Sequence, residues 1–354
     1  EIWNEPDIGH FWRPRQPSAA DYAELVKLTG AIIRREAPGA KIGGVCSTVL
    51  NAWLREAVKL AANDVDFWCV HAYGICPERT RGVQRDPNGK VMDYCDQIAE
   101  LKSLFAAAGR PQVEIWQGEA GFPSWFRKDH WLLGRNPEGY GCEEWQAKWL
   151  LRRFLTDRRA GCACSSFYAA ADICRSYSMA TTTQTHPAEH GLLASRRGYA
   201  RKASHRAFSV YNATLAEAKF VGSRTDGDVI VDEYDAAGRR LIAYYRPDDI
   251  RENRPETVWT NGVSLVPSGG ATSTLVVNLL SAGGNTPGGT GGMVAWYGPA
   301  DGMVTGAVAA VSCPGQVCFE GLTPGVRVLR ETLTGSVRCV VVRPGGNVVD
   351  VKLP

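Results

Sequence analysis

The stretch that decides the fold stands at the start of the chain: Glu1-Ile2-Trp3-Asn4-Glu5-Pro6-Asp7. Apolar residues run into Asn-Glu-Pro. The proline stops the run at once, because it has no amide to donate and restricts the residue before it. A short buried strand that ends in a carboxylate is how a barrel strand presents a side chain at a pocket rim. The stretch Val113-Glu114-Ile115-Trp116-Gln117-Gly118-Glu119-Ala120-Gly121 repeats the arrangement. It is again a short apolar run ending in Glu, with glycines where a backbone can approach closely. One such glutamate reads as a solvated loop carboxylate. Two of them, each closing a predicted parallel strand, form the carboxylate pair that glycosidic cleavage needs.

Between and beyond these stretches, strands and helices alternate. A loop from Asp7 to Pro17 carries His10, Phe11 and Trp12. Ser18 reads as an N-cap, and Tyr22, Leu25, Val26, Thr29, Ile32 and Ile33 recur at helical spacing. Lys41–Val45 is a short strand, followed by a helix over about Asn51–Ala62. Val65–Tyr73 is apolar enough for a strand buried on both faces. Further helices are expected over Tyr94–Ala108, Glu143–Arg159 and Ser204–Leu215, with a strand at Ala163–Tyr168. Trp145, Trp149, Leu150 and Phe154 form the apolar face of the second of these helices. Such alternation means a parallel sheet. A complete eight-fold barrel needs about 250 residues, and only five strands precede residue 215. The chain also begins inside a strand. The expectation is therefore a (β/α)8 barrel lacking its first three units, with strands four to eight present and the first an exposed apolar edge.

From about Lys219 the helical period disappears and Gly, Thr and Val rise. Candidate strands are Asp228–Tyr234, Arg239–Arg246, Thr274–Leu279, Met293–Tyr297, Val326–Glu331, Val337–Val342 and Val348–Lys352. Asp235-Ala236-Ala237-Gly238 reads as a hairpin turn. Short strands at this spacing predict an antiparallel β-sandwich. The expected division is 1–218 for the partial barrel and 219–354 for the sandwich.

Bulk properties narrow the function classes. The 354 residues are 44% apolar and 22% charged, with a net charge of +3. No basic cluster is dense enough for nucleic acid. No apolar run approaches the ~18 residues of a membrane span. Eleven cysteines form no CxxC and no Cys/His metal pattern. Cys46, Cys69, Cys162 and Cys164 fall in predicted strands, where a small buried thiol is the ordinary reading. Cys313 and Cys318 flank Pro-Gly and could close a turn in an oxidising compartment.

Together, Trp3-Asn4-Glu5-Pro6, His71-Ala72-Tyr73 and Gly118-Glu119, followed by a β-rich tail, resemble clan A retaining glycoside hydrolases. The nearest pattern is family 39, the β-xylosidase and α-L-iduronidase type. The resemblance implies that Glu5 is the acid/base and Glu119 the nucleophile. It implies that Asn4 binds the sugar 2-hydroxyl, that Tyr73 holds the nucleophile, and that His71 lines the pocket. Trp12, Phe122, Trp125 and Tyr168 are candidates to stack on sugar faces. The eighth strand often ends in Trp in this clan, whereas here Phe167-Tyr168 stands there. Each residue also has a plainer reading: a rim salt bridge for Glu119, an Asx turn for Asn4, core packing for the aromatics. Asp172 follows the eighth strand and is a weaker candidate. The implied partner is carbohydrate, with no nucleic acid, no membrane, no metal and no organic cofactor. A secreted or periplasmic setting goes with that chemistry. A catalytically inactive carbohydrate-binding relative and a transglycosylase share the same motifs.

Overall fold

The computed structural model describes residues 1–79, 84–124, 143–173 and 189–226, and elsewhere the strand residues named below. Two compact units emerge: Glu1–Phe122 with Arg153–Ala169, and Pro123–Arg152 with Ala170–Pro354. The expected boundary at residue 218 falls within the second.

The first unit alternates helix and strand. Helix α1 (Ala19–Glu36) precedes β1 (Gly43–Cys46), α2 (Ala52–Ala61), β2 (Phe67–Val70), α3 (Tyr94–Ala107) and β3 (Glu114–Gln117). Ser18 caps α1 by accepting from the Asp21 amide, as its position in the sequence implied. Asn51 caps α2, and α3 begins with a reciprocal capping box between Asp93 and Asp96. A short ribbon, β4 (Asp129–His130) with β5 (Gly134–Arg135), belongs to the second unit. Helix α4 (Glu143–Ala160) leads to β6 (Cys164–Ser165).

Strands β1, β2, β3 and β6 form one sheet in that order, every pair parallel. All residues of β1 and β2 are buried, which explains their unbroken apolar sequences. Aromatic side chains fill the sheet surface. Phe67 stacks on Trp116 with centroids 3.8 Å apart. A Cβ on Gly44 would come within 2.5 Å of the Trp68 ring, so only glycine lets this strand pass.

The opening stretch departs from expectation. Glu1–Glu5 is not a strand; its Ile2 amide donates to the Gly43 carbonyl at 2.9 Å. The reason is local. Trp3 and Glu5 have φ of 70° and 42°, and left-handed residues break a ladder. Ile2 is buried but Trp3 is 53% exposed. The Tyr22 hydroxyl ties the stretch down: it donates to Ile2 O and accepts from Val45 N.

In the second unit, β7 (Leu193–Ala194) pairs with β8 (Ala200–Arg201), and α5 (Ala203–Leu215) follows. Then come β9 (Lys219–Asp226), β10 (Val229–Ala236), β11 (Arg239–Tyr245), β12 (Ser273–Asn278) and β13 (Trp296–Tyr297). They are followed by β14 (Val311–Cys313), β15 (Gln316–Phe319), β16 (Arg338–Arg343) and β17 (Val349–Val351). Six of these form an antiparallel sheet ordered β13-β12-β16-β11-β10-β9, and β14-β15-β17 form another. Strand β9 has no counterpart among the expected strands, and the candidate at Val326–Glu331 lies outside the described residues. The side chains of Cys313 and Cys318 also lie outside them. Cys46 and Cys69 are buried, but Cys164 is exposed, against expectation. Among the described residues, no helix is long and apolar enough to cross a membrane.

Candidate active site

The parallel sheet aligns its strand ends. Cys46, Val70 and Gln117 are matched in register, so the residues following them emerge at one edge. That edge is where open α/β sheets and barrels carry ligand sites. The chain continues extended there: the His71 amide donates to Cys46 O and the Gly118 amide to Val70 O.

Side chains at alternate positions of an extended segment share a face. Cys69, His71 and Tyr73 obey this, and their face meets Glu119 and the two glutamates of the opening stretch. The Tyr73 hydroxyl donates to Glu119 Oε1 at 2.7 Å. His71 Nδ1 lies 2.8 Å from Glu5 Oε1 and 3.9 Å from Glu119 Oε2. His71 Nε2 faces Glu1 Oε1 at 3.8 Å, an ion-pair separation. Glu5, His71 and Glu119 each present an atom within 4.8 Å of the others.

Burial opposes a charge on His71, but the interactions with Cys69, Glu1 and Glu5 and the nearby Glu119 charge outweigh it, lifting its pKa to about 11. At neutral pH the imidazolium therefore donates Nδ1–H to Glu5. The same proton-rich ring, opposing the cost of burial, holds the Glu1 carboxyl below its usual range. Burial, then the Glu119 charge, push the Tyr73 phenol well above its ordinary range, so it remains a donor. Glu5 is only 13% exposed at its side chain, against 32% for Glu119. A second group, Glu1, Cys69 and His71, is also close enough in ligand spacing for a cation. His71 belongs to both groups and already supplies positive charge to the carboxylates around it.

Glu5 sits at a left-handed φ of 42°, a conformation that costs an L-residue about 1–2 kcal/mol. Such strain persists only where surrounding contacts over-determine it.

The other candidates are placed as follows. Asn4 is half-buried beside Glu5. Tyr168 is half-buried, precedes a cis peptide bond, and adds to the upward push on the Tyr73 pKa. Trp12 meets Trp3 edge-on at 5.7 Å and lines a groove of about 370 Å³ with Trp3, Arg13 and Leu25. Phe122 is fully buried, so no ring face is left for a sugar; the stacking expectation fails there. Trp125 lies outside the described residues. In the second unit, Asp172 is buried and engaged by Lys202, whose ammonium also donates to Ser124 Oγ at 2.9 Å.

Glu1 and Cys69 escaped the sequence reading. The available signal was spacing: Glu1 precedes Glu5 by four residues, and Cys69 precedes His71 by two. Cys69 also explains Gly118. A Cβ at position 118 would come within 1.7 Å of Cys69 Sγ and 3.4 Å of Glu1 Oε2. The glycine before Glu119 is the space that this thiol and carboxylate occupy.

No family model matches the chain. A stretch of 107 residues is 26% identical to a β-xylosidase of Geobacillus stearothermophilus, covering 29% of this chain and 19% of that protein. Among solved structures, a family 39 glycoside hydrolase from Bacteroides cellulosilyticus WH2 superposes with a TM-score of 0.56 at 15% identity, over 96% of this chain and 57% of that one. The chain shares the fold of that structure. A glucosidase from Croceicoccus marinus gives a TM-score of 0.52 at 14% identity, over 97% of this chain and 68% of that one. A family 30 endoxylanase from Clostridium papyrosolvens C71 gives 0.50 at 11% identity, over 96% and 64%. The chain thus spans little more than half the length of the family 39 glycoside hydrolase. Its resemblance is to glycoside hydrolases of family 39 and neighbouring families.

Proposed function

We propose that this chain carries the catalytic carboxylates of a retaining glycoside hydrolase, with Glu119 as nucleophile and Glu5 as acid/base. One observation carries the reading. Oxygens of Glu5 and Glu119 lie within 4.8 Å of each other at the carboxyl ends of a parallel sheet. Retention goes with carboxyls about 5–5.5 Å apart, whereas inversion needs roughly 6.5–9.5 Å to admit a water. The β-xylosidase likeness and the fold point to the same class.

In this reading each neighbour has a task. Tyr73 donates to one Glu119 oxygen and leaves the other to attack the anomeric carbon. Glu5 protonates the departing oxygen, then takes a proton from the water that releases the sugar. His71, cationic and nearly sealed from solvent, aims Glu5 by donating to its Oε1 and sets positive charge beside Glu119. Asn4, next to Glu5 in the sequence, would meet the 2-hydroxyl. The substrate is a carbohydrate glycoside, and pentosides and hexosides such as xylosides and glucosides are the first to try.

The test separates the two roles. In the intact protein, Glu5→Ala should slow an aryl glycoside with a poor leaving group by about 10²–10⁴. It should spare kcat/KM for a dinitrophenyl glycoside, whose phenolate departs unaided, and lower only its kcat, because no base is left to activate the water. Azide should restore turnover of the dinitrophenyl substrate and yield a glycosyl azide of retained configuration. Equal loss on both substrates, with no azide adduct, would remove Glu5 from the acid/base role.

A further inference from the structure

We infer that Asp7 is a positioning residue for Glu5: its carboxylate clamps the Trp3–Ile8 turn to the loop between β1 and α2 and so fixes where the acid/base stands. This rests on the acid/base reading above and adds to it a residue outside the pocket.

The geometry is specific. Asp7 Oδ1 accepts from the Ser47 amide at 2.8 Å. Asp7 Oδ2 accepts from Ser47 Oγ at 2.7 Å, Asn51 Nδ2 at 3.2 Å and Cys46 Sγ at 3.2 Å. One carboxylate thus collects four donors, all from the segment that leaves the end of β1. Both ends of this clamp are themselves anchored. Cys46 is locked into the ladder opposite Val70, one residue before His71. Asn51 uses its other amide atom, Oδ1, to cap α2 through the Leu54 amide. An Asn can serve as donor and acceptor at once, which Asp could not do. Burial, then the Asp7 charge, push the Cys46 thiol well above its ordinary range, so it keeps the proton it donates.

The turn needs such an anchor. Trp3 and Glu5 are both left-handed, and the Ile8 amide closes the turn on Glu5 O at 3.0 Å. Pro6, buried between Glu5 and Asp7, passes the constraint along, because its ring fixes φ. Without the clamp, Glu5 would relax toward an ordinary φ, and its carboxylate would leave His71. Asn at position 7 has the same shape but presents an NH2 group to donors that need an acceptor.

The readout must distinguish aiming Glu5 from merely folding. Values of kcat/KM, which report the step that forms the glycosyl-enzyme, are compared on 2,4-dinitrophenyl and 4-methoxyphenyl β-xylosides and β-glucosides, using the intact protein and the Glu5→Ala, Asp7→Asn and Ser47→Ala variants. Asp7→Asn should lose about 10- to 100-fold on the methoxyphenyl substrate and less than about threefold on the dinitrophenyl one, since small misplacements of an acid cost that much. Ser47→Ala removes one donor and leaves the carboxylate, so it should shift the ratio in the same direction by less. If Asp7→Asn does not fold, the Ser47→Ala ratio decides. Should Glu5→Ala separate the two substrates while the folded Asp7 and Ser47 variants treat them alike, the clamp does not position the acid and the inference is overturned. Should Glu5→Ala itself fail to separate them, the acid/base reading falls and the inference falls with it.

Discussion

Buried imidazoles ordinarily shed their proton, and His71 does the reverse. Its side chain is 1% exposed, yet Cys69 and the carboxylates around it hold its pKa near 11. The linkage follows from the sign of that shift. A pKa raised from the ordinary 6.5 gives stability that is complete below about 6.5 and is lost as pH rises through about 11. Thermal melts across that window should fall more steeply for the native chain than for His71→Gln, which has no charge to lose. Parallel slopes would show that His71 is neutral in the fold. The residues of this cluster were unequally legible. Tyr73 and Glu119 follow strand ends within motifs and Glu5 stands in Asn-Glu-Pro, though in a turn rather than on a strand, so each could be singled out from the sequence. Glu1 and Cys69 did not, because their reason to exist appears only when β2 and β3 lie side by side and Gly118 leaves them room. Phe122 misled because an aromatic in a loop after a strand can face a pocket or the core, and tertiary packing chose the core.

Elements were most legible where local chemistry marks their ends. Ser18, Asn51 and the Asp93 box each start a helix because a side chain can satisfy an amide that the first turn leaves bare. The opening stretch was misread as a strand because its apolar pattern hides two left-handed residues that no period reveals. Strand β9 was missed because Lys219–Asp226 is mostly polar and small, and only pairing with β10 makes it a strand. Buried charge was equally hidden: Arg153 lies over the Tyr94 ring and pairs with Asp157 at 2.6 Å, on a helix read from its sequence only for its apolar face. Tyr22 is the joint between α1, β1 and the opening stretch. Tyr22→Phe keeps the ring but leaves the Val45 amide and Ile2 carbonyl without their shared hydroxyl. Stranding buried polar groups costs about 1–3 kcal/mol, so the denaturation midpoint should drop and amide exchange at Val45 should speed up. Unchanged exchange at Val45 would mean that the hydroxyl does not hold this joint.

At the scale of the molecule, the contrast between a parallel α/β unit and antiparallel sheets was legible because helical periodicity stops near residue 219. Contacts rather than composition group Pro123–Arg152 with the later segments. The parallel sheet gives the site its precision: strands matched in register carry His71 and Glu119 to one edge, and the strained turn brings Glu5 to meet them. The central claim is that Glu119 attacks and Glu5 protonates. It is tested most directly by trapping the intact protein with dinitrophenyl 2-deoxy-2-fluoro xylosides and glucosides, whose fluorine slows release of the glycosyl-enzyme. Peptide mapping should then find a single adduct on Glu119, in a protein whose hydrolysis product keeps its anomeric configuration. An adduct on Glu5, or a product of inverted configuration, would contradict it.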